Sequence, residues 1–217
     1  MKNKLSSRLY IASTFISTSP ILDVGSDHGQ LAIYLSNKGY TVYASENKKG
    51  PFNFLKESIF LSNSDVTCLF IDGIKDMPRT IKSVVILGMG GDTIYNILNE
   101  GKKTLSNVEE IIIEPQSSFS KPITFLNQNN FKNMDGKMIF ERKYYPILKF
   151  IHGKEDHTLN ELELNYGSFI VKNKDELLIK KIKLELNKLR SLSSSGVKKE
   201  EEILKLEKYL SILENWF

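Results

Sequence analysis

In the first two thirds of the chain apolar residues come in short unbroken runs, and between the runs they recur every three or four positions. Short runs bounded by glycine or acidic residues predict strands, and the spaced stretches predict helices. Leu5, Leu9, Ala12 and Ile16 give an opening helix over 5–16. Pro20-Ile21-Leu22-Asp23-Val24 is a first strand that stops at Gly25, and Leu31 to Lys38 is a short helix ended by Gly39. Tyr40 to Ala44 is a second strand, β-branched and aromatic, with Glu46 at its end. Gly50-Pro51 starts a helix whose core candidates are Phe54, Leu55, Ile59 and Leu61. Asp65 to Ile71 is a third strand, closed by Asp72-Gly73. Ser83 to Gly88, the fourth, has the continuous apolar character of a strand covered on both faces. It runs into Met89-Gly90-Gly91 and a helix holding Ile94, Ile97 and Leu98; Glu109 to Glu114 and Lys121 to Asn129 supply the fifth strand and its helix.

The spacing changes at Phe131. The stretch to Ile151 has no room for a crossover helix and fits two long antiparallel strands. Five βα units followed by an antiparallel pair predict an α/β, Rossmann-like sheet, parallel with a reversed edge strand. His152 to Asn160 reads as a charged linker, with Leu162, Leu164 and Tyr166 packing back on the domain. From Asp175 two helices follow, with Ile179, Ile182, Leu186 and Leu189 on one seam and Ile203, Leu206, Leu210, Leu213 and Phe217 on the other. Ser193-Ser194-Ser195-Gly196 lies between them, so an antiparallel coiled-coil hairpin is expected. The division is a cofactor-binding domain over 1–165 and a helical domain over 166–217.

Composition narrows the setting. At 217 residues, 41% hydrophobic and 26% charged, the chain can bury a full core and a smaller module. A single cysteine, Cys68, and no charged-then-apolar leader suggest a reducing cytoplasm. No apolar run approaches the ~20 residues of a membrane span. The net charge of +4 permits a polyanionic partner without demanding one.

Candidate chemistry concentrates at strand ends. The turn Gly25-Ser26-Asp27-His28-Gly29 joins a strand directly to a helix, leaving N–H groups and positive partial charge where a cofactor's carboxylate or phosphate could sit; an ordinary βα turn has the same spacing. Glu46, about twenty residues past the first glycine, stands where α/β cofactor sites hold ribose hydroxyls. Gly88-Met89-Gly90-Gly91 lets backbone approach a ligand at the carboxyl end of a central strand. Arg8 is either a solvated charge or a group that turns toward cofactor or phosphate. His28 either contacts ligand or packs, and with His152 and His157 it shows no metal-ligand clustering. Lys180, Lys181, Lys183, Lys188, Arg190, Lys198 and Lys199 crowd one end of the helical hairpin, either as a solvated face or as a grip on nucleic acid phosphates.

Ser7-Arg8-Leu9, Asp23-Val24-Gly25-Ser26-Asp27-His28, Glu46 with Gly50-Pro51-Phe52, Asp72-Gly73 and Gly88-Met89-Gly90-Gly91 occur in the order and spacing of the TrmK family. The chain thus resembles tRNA (adenine(22)-N1)-methyltransferases, class I enzymes that use S-adenosyl-L-methionine. The resemblance runs over nearly the whole chain and weakens after Ile151; Glu114-Pro115-Gln116 departs from the Gln-Pro-Asn frequent in relatives. It implies that Asp23, Gly25, Ser26, Asp27 and His28 hold the methionine end, Glu46 the ribose, and Asp72 with Gly73 the adenine, while Gly88, Met89 and Gly90 line the floor beneath the sulfonium. It further implies a tRNA partner held by Arg8 and by Lys180, Lys181, Lys183, Lys188 and Arg190, with no metal and no membrane, the chain acting as a monomer. Asp27 is the candidate catalytic carboxylate, oriented toward the substrate adenine's exocyclic amine, toward the cofactor's ammonium, or into a helix cap. A nicotinamide oxidoreductase would share the cradle and the acid, but usually carries a glycine where Asp27 stands. A non-catalytic RNA-binding or coiled-coil adaptor would keep the basic hairpin but have no need of Glu46 and Asp72 on neighbouring strand tips.

Overall fold

The structure is a computed structural model that describes residues 5–192 and 197–214. Its centre is a seven-stranded sheet in the order β3-β2-β1-β4-β5-β7-β6. The parallel strands are β1 (Ile21–Val24), β2 (Val42–Glu46), β3 (Val66–Phe70), β4 (Ser83–Met89) and β5 (Glu110–Pro115). The last two, β6 (Phe131–Glu141) and β7 (Lys143–His152), pair antiparallel with each other, and β7 lies antiparallel to β5. Chain order reverses between β1 and β4, so their carboxyl ends open a crevice that no crossover covers.

Two apolar layers sandwich the sheet because alternate strand residues face opposite ways. On one face Ile21, Val42, Val85 and Ile112 pack under α1 (Ser7–Thr14), α2 (Gln30–Ser36) and α3 (Lys49–Ser62). On the other, Leu22, Val84, Ile86, Ile111 and Ile113 pack under α4 (Gly91–Glu100) and α5 (Ser120–Gln128). That second layer continues without a break into the C-terminal helices α6 (Glu161–Tyr166), α7 (Ser168–Lys172), α8 (Glu176–Ser191) and α9 (Val197–Glu214) through Leu162, Ile170, Ile182 and Leu213. Lys183 meets Glu214 at 2.7 Å and Arg190 meets Glu207 at 2.6 Å. A step forward on α8 is thus a step back on α9, which makes the pair antiparallel. The expected turn over 193–196 and the seam residue Phe217 lie outside the described residues.

Three departures from the sequence reading have local causes. Phe54 and Leu61 are exposed, because only the Leu55–Ile59 stripe of α3 faces the sheet. The connection from β3 to β4 has no helix; Ile74, Met77 and Ile81 plug the sheet from an irregular segment instead. The expected linker is irregular over 153–160 and Leu162 and Tyr166 do pack back on the domain, but they do so from a helix the sequence reading did not give, α6, which a reciprocal capping box of Asn160 and Glu163 starts. The expected division between 165 and 166 falls inside α6.

Candidate active site

The crevice holds a cleft of about 340 Å³ lined by Gly25, Glu46, Asn47, Asp72, Gly73, Met89, Asn96 and Ile97 among others. That size suits a small-molecule ligand. The turn after β1 shapes its wall: Gly25 (φ 68), Asp27 (φ 51) and Gly29 (φ 67) all take left-handed backbone. A Cβ on Gly25 would collide with the Met89 methyl group, so only glycine lets the turn close against that side chain. Ser45 on β2 fixes the turn's start by accepting from the Gly25 and Ser26 N–H groups at 2.9 and 3.1 Å.

Glu46 does two things at once. It lines the cleft, and its Oε1 accepts the Asp27 N–H at 2.7 Å, tying the tip of β2 to the cradle turn. Asp27 itself is 81% exposed at the side chain, with His28 3.8 Å away. The N-cap of α2 is Gly29 and receives no side-chain hydrogen bond, so neither Asp27 nor His28 caps that helix. On the far wall Asn47 Nδ2 donates to Asp72 Oδ1 at 2.7 Å, holding the third acidic tip toward β2. Asp23 lies beneath the turn, 5% exposed. Burial, reinforced by the nearby Glu46 charge and opposed by a Ser26 hydrogen bond, pushes its pKa up to about 7.

The expected residues are therefore brought together only in part. Gly25, Glu46, Asp72, Gly73 and Met89 share one cleft, with Ser26, Asp27 and His28 on the turn beside it and Asp23 on β1 beneath that turn. Gly88 and Gly90 are not among the cleft's lining residues. Gly88 faces the opposite side of the sheet, where a Cβ would lie 3.6 Å from Arg8 Nη1. The glycine demanded by packing is Gly91, whose Cβ would strike the backbone of Ser117 and Ser118.

Sequence reasoning missed what holds that opposite side. Glu114, fully buried at the end of β5, accepts from Arg8 Nη1 at 2.8 Å and from the Gly88 N–H at 3.0 Å, both through Oε2. Its Oε1 and Arg8 Nε are buried without hydrogen-bond partners. Burial raises the Glu114 pKa against the pull of Arg8. The Arg8 guanidinium also lies 5.5 Å from the Tyr145 ring centre. Arg8 is thus committed to an internal ion pair. With the partners 106 positions apart, no local pattern announced it.

The hairpin cations divide as well. Lys181 is turned inward, 12% exposed, toward Glu185 and the Tyr166 hydroxyl; Lys183 and Arg190 pair across the hairpin; Lys180 and Lys188 are exposed. Among the described residues no group of three or more His, Cys, Asp or Glu could hold a metal ion, and no helix is long and apolar enough to cross a membrane.

The strand order, the antiparallel final strand and the acid at the tip of β2 define a class I S-adenosylmethionine-dependent methyltransferase. The sequence pattern of TrmK, tRNA (adenine(22)-N(1))-methyltransferase, matches residues 21–215, and the chain belongs to that family. It is 29% identical over 200 residues to the tRNA (adenine(22)-N(1))-methyltransferase of Bacillus subtilis (strain 168), covering 87% of this chain and 84% of that one. A Streptococcus pneumoniae protein in complex with S-adenosyl-L-methionine superposes with a TM-score of 0.85 at 26% identity, covering 95% of this chain and all of the other. TrmK of M. capricolum, in complex with the natural cofactor product S-adenosylhomocysteine, gives 0.80 at 25% identity, covering 97% and 99%.

Proposed function

We propose that this chain transfers the methyl group of S-adenosyl-L-methionine to N1 of adenine 22 in the D arm of tRNA. The observation that carries the reading is the single cleft in which the Gly25 turn, Glu46 and Asp72 converge beside Met89. These residues fit the cofactor: Glu46 and Asp72 offer acceptors for ribose hydroxyls and an adenine amine, and glycine at position 25 lets the cradle turn close against Met89 at the wall of the cleft. When bound, S-adenosylmethionine supplies an electrophilic methyl on a sulfonium. Adenine N1 already carries a lone pair, so the chain's work is alignment and exclusion of water rather than removal of a proton.

Within this reading Asp23, Ser26 and His28 serve the methionine end, and an ammonium group approaching Asp23 favours its ionised form. Asp27, exposed on a turn that Glu46 braces, orients the substrate's exocyclic amine and offsets the positive charge of the product. Gly88 and Gly90 shape the turn that carries Met89. Arg8, anchored by Glu114, borders the acceptor side, and Lys180 and Lys188 meet tRNA phosphates. Lys181, Lys183 and Arg190 keep the helical hairpin together. The enzyme acts as a monomer, without a metal, in the cytoplasm.

Incubation of the protein with labelled S-adenosylmethionine and unmodified tRNA, followed by mapping of the modified base by a reverse-transcription stop, tests the proposal. Cofactor-dependent label at N1 of adenine 22 is the expected result. Label at another base, or S-adenosylhomocysteine giving no thermal stabilisation, would overturn it.

A further inference from the structure

The register of β7 on β5 points to a second tRNA-contacting element. Ile113 pairs with Leu148, and β5 ends at Pro115, while β6 and β7 stay paired out to Glu141 and Lys143. The last turn of the hairpin therefore projects past the parallel sheet at the same end as the cofactor cleft. Arg8 steadies this end of the hairpin, its guanidinium resting over Tyr145 and its Nε lying 3.8 Å from Glu141. Its tip is built differently from the charged helices at the C-terminus. Arg142, at φ 64, makes the turn, and both Arg142 and Lys143 are exposed. Among the described residues no carboxylate pairs with either, in contrast to Lys183 and Arg190. Beside them Phe140, 57% exposed, lies against Tyr144 with ring centres 4.8 Å apart.

An exposed Phe140 against a half-buried Tyr144, flanked by free cations on an arm at the cleft end of the sheet, has the chemistry of a platform for unpaired nucleotides: rings stack on a splayed base and cations meet its phosphates. We propose that the β6–β7 tip docks the target-bearing arm of tRNA, with Phe140 and Tyr144 stacking on a nucleotide unpaired beside the target and Arg142 and Lys143 on adjoining phosphates. This rests on the tRNA reading above. It explains how a base whose N1 is engaged in folded tRNA could be kept exposed at the mouth of the cleft, since a flipped base and the gap it leaves both need a stacking partner.

The test compares the full-length protein with Phe140→Ala and with the double variant Arg142→Ala/Lys143→Ala, titrating unmodified tRNA at several salt concentrations and S-adenosylhomocysteine by calorimetry. Phe140→Ala should weaken tRNA binding by roughly 5- to 100-fold, the range for taking away one ring on which a base stacks. The double variant should also lower the slope of log K against log salt by roughly 0.7 to 0.9 for each phosphate that is no longer neutralised. Unchanged S-adenosylhomocysteine affinity in both variants shows that they are folded. If the variants bind tRNA as the wild type does, with the same salt slope, the arm is only a solvated turn and the proposal fails while the methyltransferase reading stands. If the wild type neither binds nor methylates tRNA, the methyltransferase reading fails instead.

Discussion

Glu110 and Glu114 lie on the same strand and the same face of the sheet, both buried and each facing a cation from a distant part of the chain, yet only Glu110 has both carboxylate oxygens partnered. Glu110, at the amino end of β5, accepts from the Ser17 and Thr18 N–H groups at 2.8 and 3.0 Å, with the Ser17 and Ser83 hydroxyls and Lys149 Nζ within 2.7 Å. Burial alone would push its pKa up; Lys149, Ser17 and Ser83 overcome that and bring it down to about 2. Glu114, at the carboxyl end, serves Arg8 and Gly88 through one oxygen, leaves the other unpartnered, and has a raised pKa. A buried carboxylate that is fully bonded stabilises the fold, whereas one left short of partners is a cost carried at the cleft end of the sheet. The two ends of the sheet are thus built for different ends: one closes the core, the other keeps groups in place for a ligand.

The largest effect is expected at Glu110. Glu110→Gln leaves Lys149, 13% exposed at its side chain, without its carboxylate. Removing one member of a buried pair costs about 3–5 kcal/mol, which urea unfolding should register as a large fall in midpoint. A loss well under that would mean the amino end does not carry the stability assigned to it. At the cleft end the corresponding loss should appear in ligand binding. Glu46→Ala removes a ligand acceptor and the acceptor of the Asp27 N–H, and should weaken S-adenosylhomocysteine by about 1–3 kcal/mol, the cost of a charge-assisted hydrogen bond. Unchanged affinity by calorimetry would take Glu46 out of the site.

A smaller effect sharpens the contrast through its sign. The folded-state pKa of Glu110 lies below that of an unfolded glutamate, so its stabilisation is present above about 4.5 and is lost as pH falls from there toward about 2. The Glu114 pKa is raised, so its contribution is greatest when it is protonated and is lost as pH rises through the raised value. Unfolding measured across pH should therefore show Glu110→Gln losing ground on the wild type between about pH 2 and 4.5. Glu114→Gln should gain ground above that window. Parallel pH curves for the two variants would contradict the difference between the ends. Asp23 gives a related signature: with its pKa near 7 in the free protein, S-adenosylhomocysteine should bind more tightly at pH 8 than at pH 6 if its ammonium group meets that carboxylate.

The strands and the cleft were readable in the sequence because β-branched runs stop at glycines and acids, and those stops are where parallel strands present their ends. What the sequence hid was produced by distance or by competition. The Arg8–Glu114 pair depends on β5 lying beside β4 and beneath α1, a matter of topology rather than spacing. Gly88 looked like part of the cofactor floor, but the register of β4 on β5 shifts between Leu87 and Met89 and Gly88 takes φ 76, and this irregularity turns Met89, rather than Gly88, to the cleft side. The lysines of the helical hairpin looked alike until the antiparallel register paired Lys183 with Glu214 and Arg190 with Glu207. The Asn160–Glu163 capping box was a signal present in the sequence and passed over, because the charges before it suggested a linker.

The most direct test of this division is single-turnover methylation of tRNA at saturating S-adenosylmethionine, with Glu110→Gln and Glu114→Gln compared per folded molecule, well below their melting temperatures. Glu114→Gln removes the charge that anchors Arg8 beside the Gly88 turn, and is expected to slow methyl transfer by roughly tenfold or more, about 1.4 kcal/mol of barrier. Glu110→Gln is expected to stay within about twofold of the wild type, since it touches nothing at the cleft. A wild-type rate for Glu114→Gln, or an equal fall in both variants, would contradict the assignment of stability to one end of the sheet and catalysis to the other.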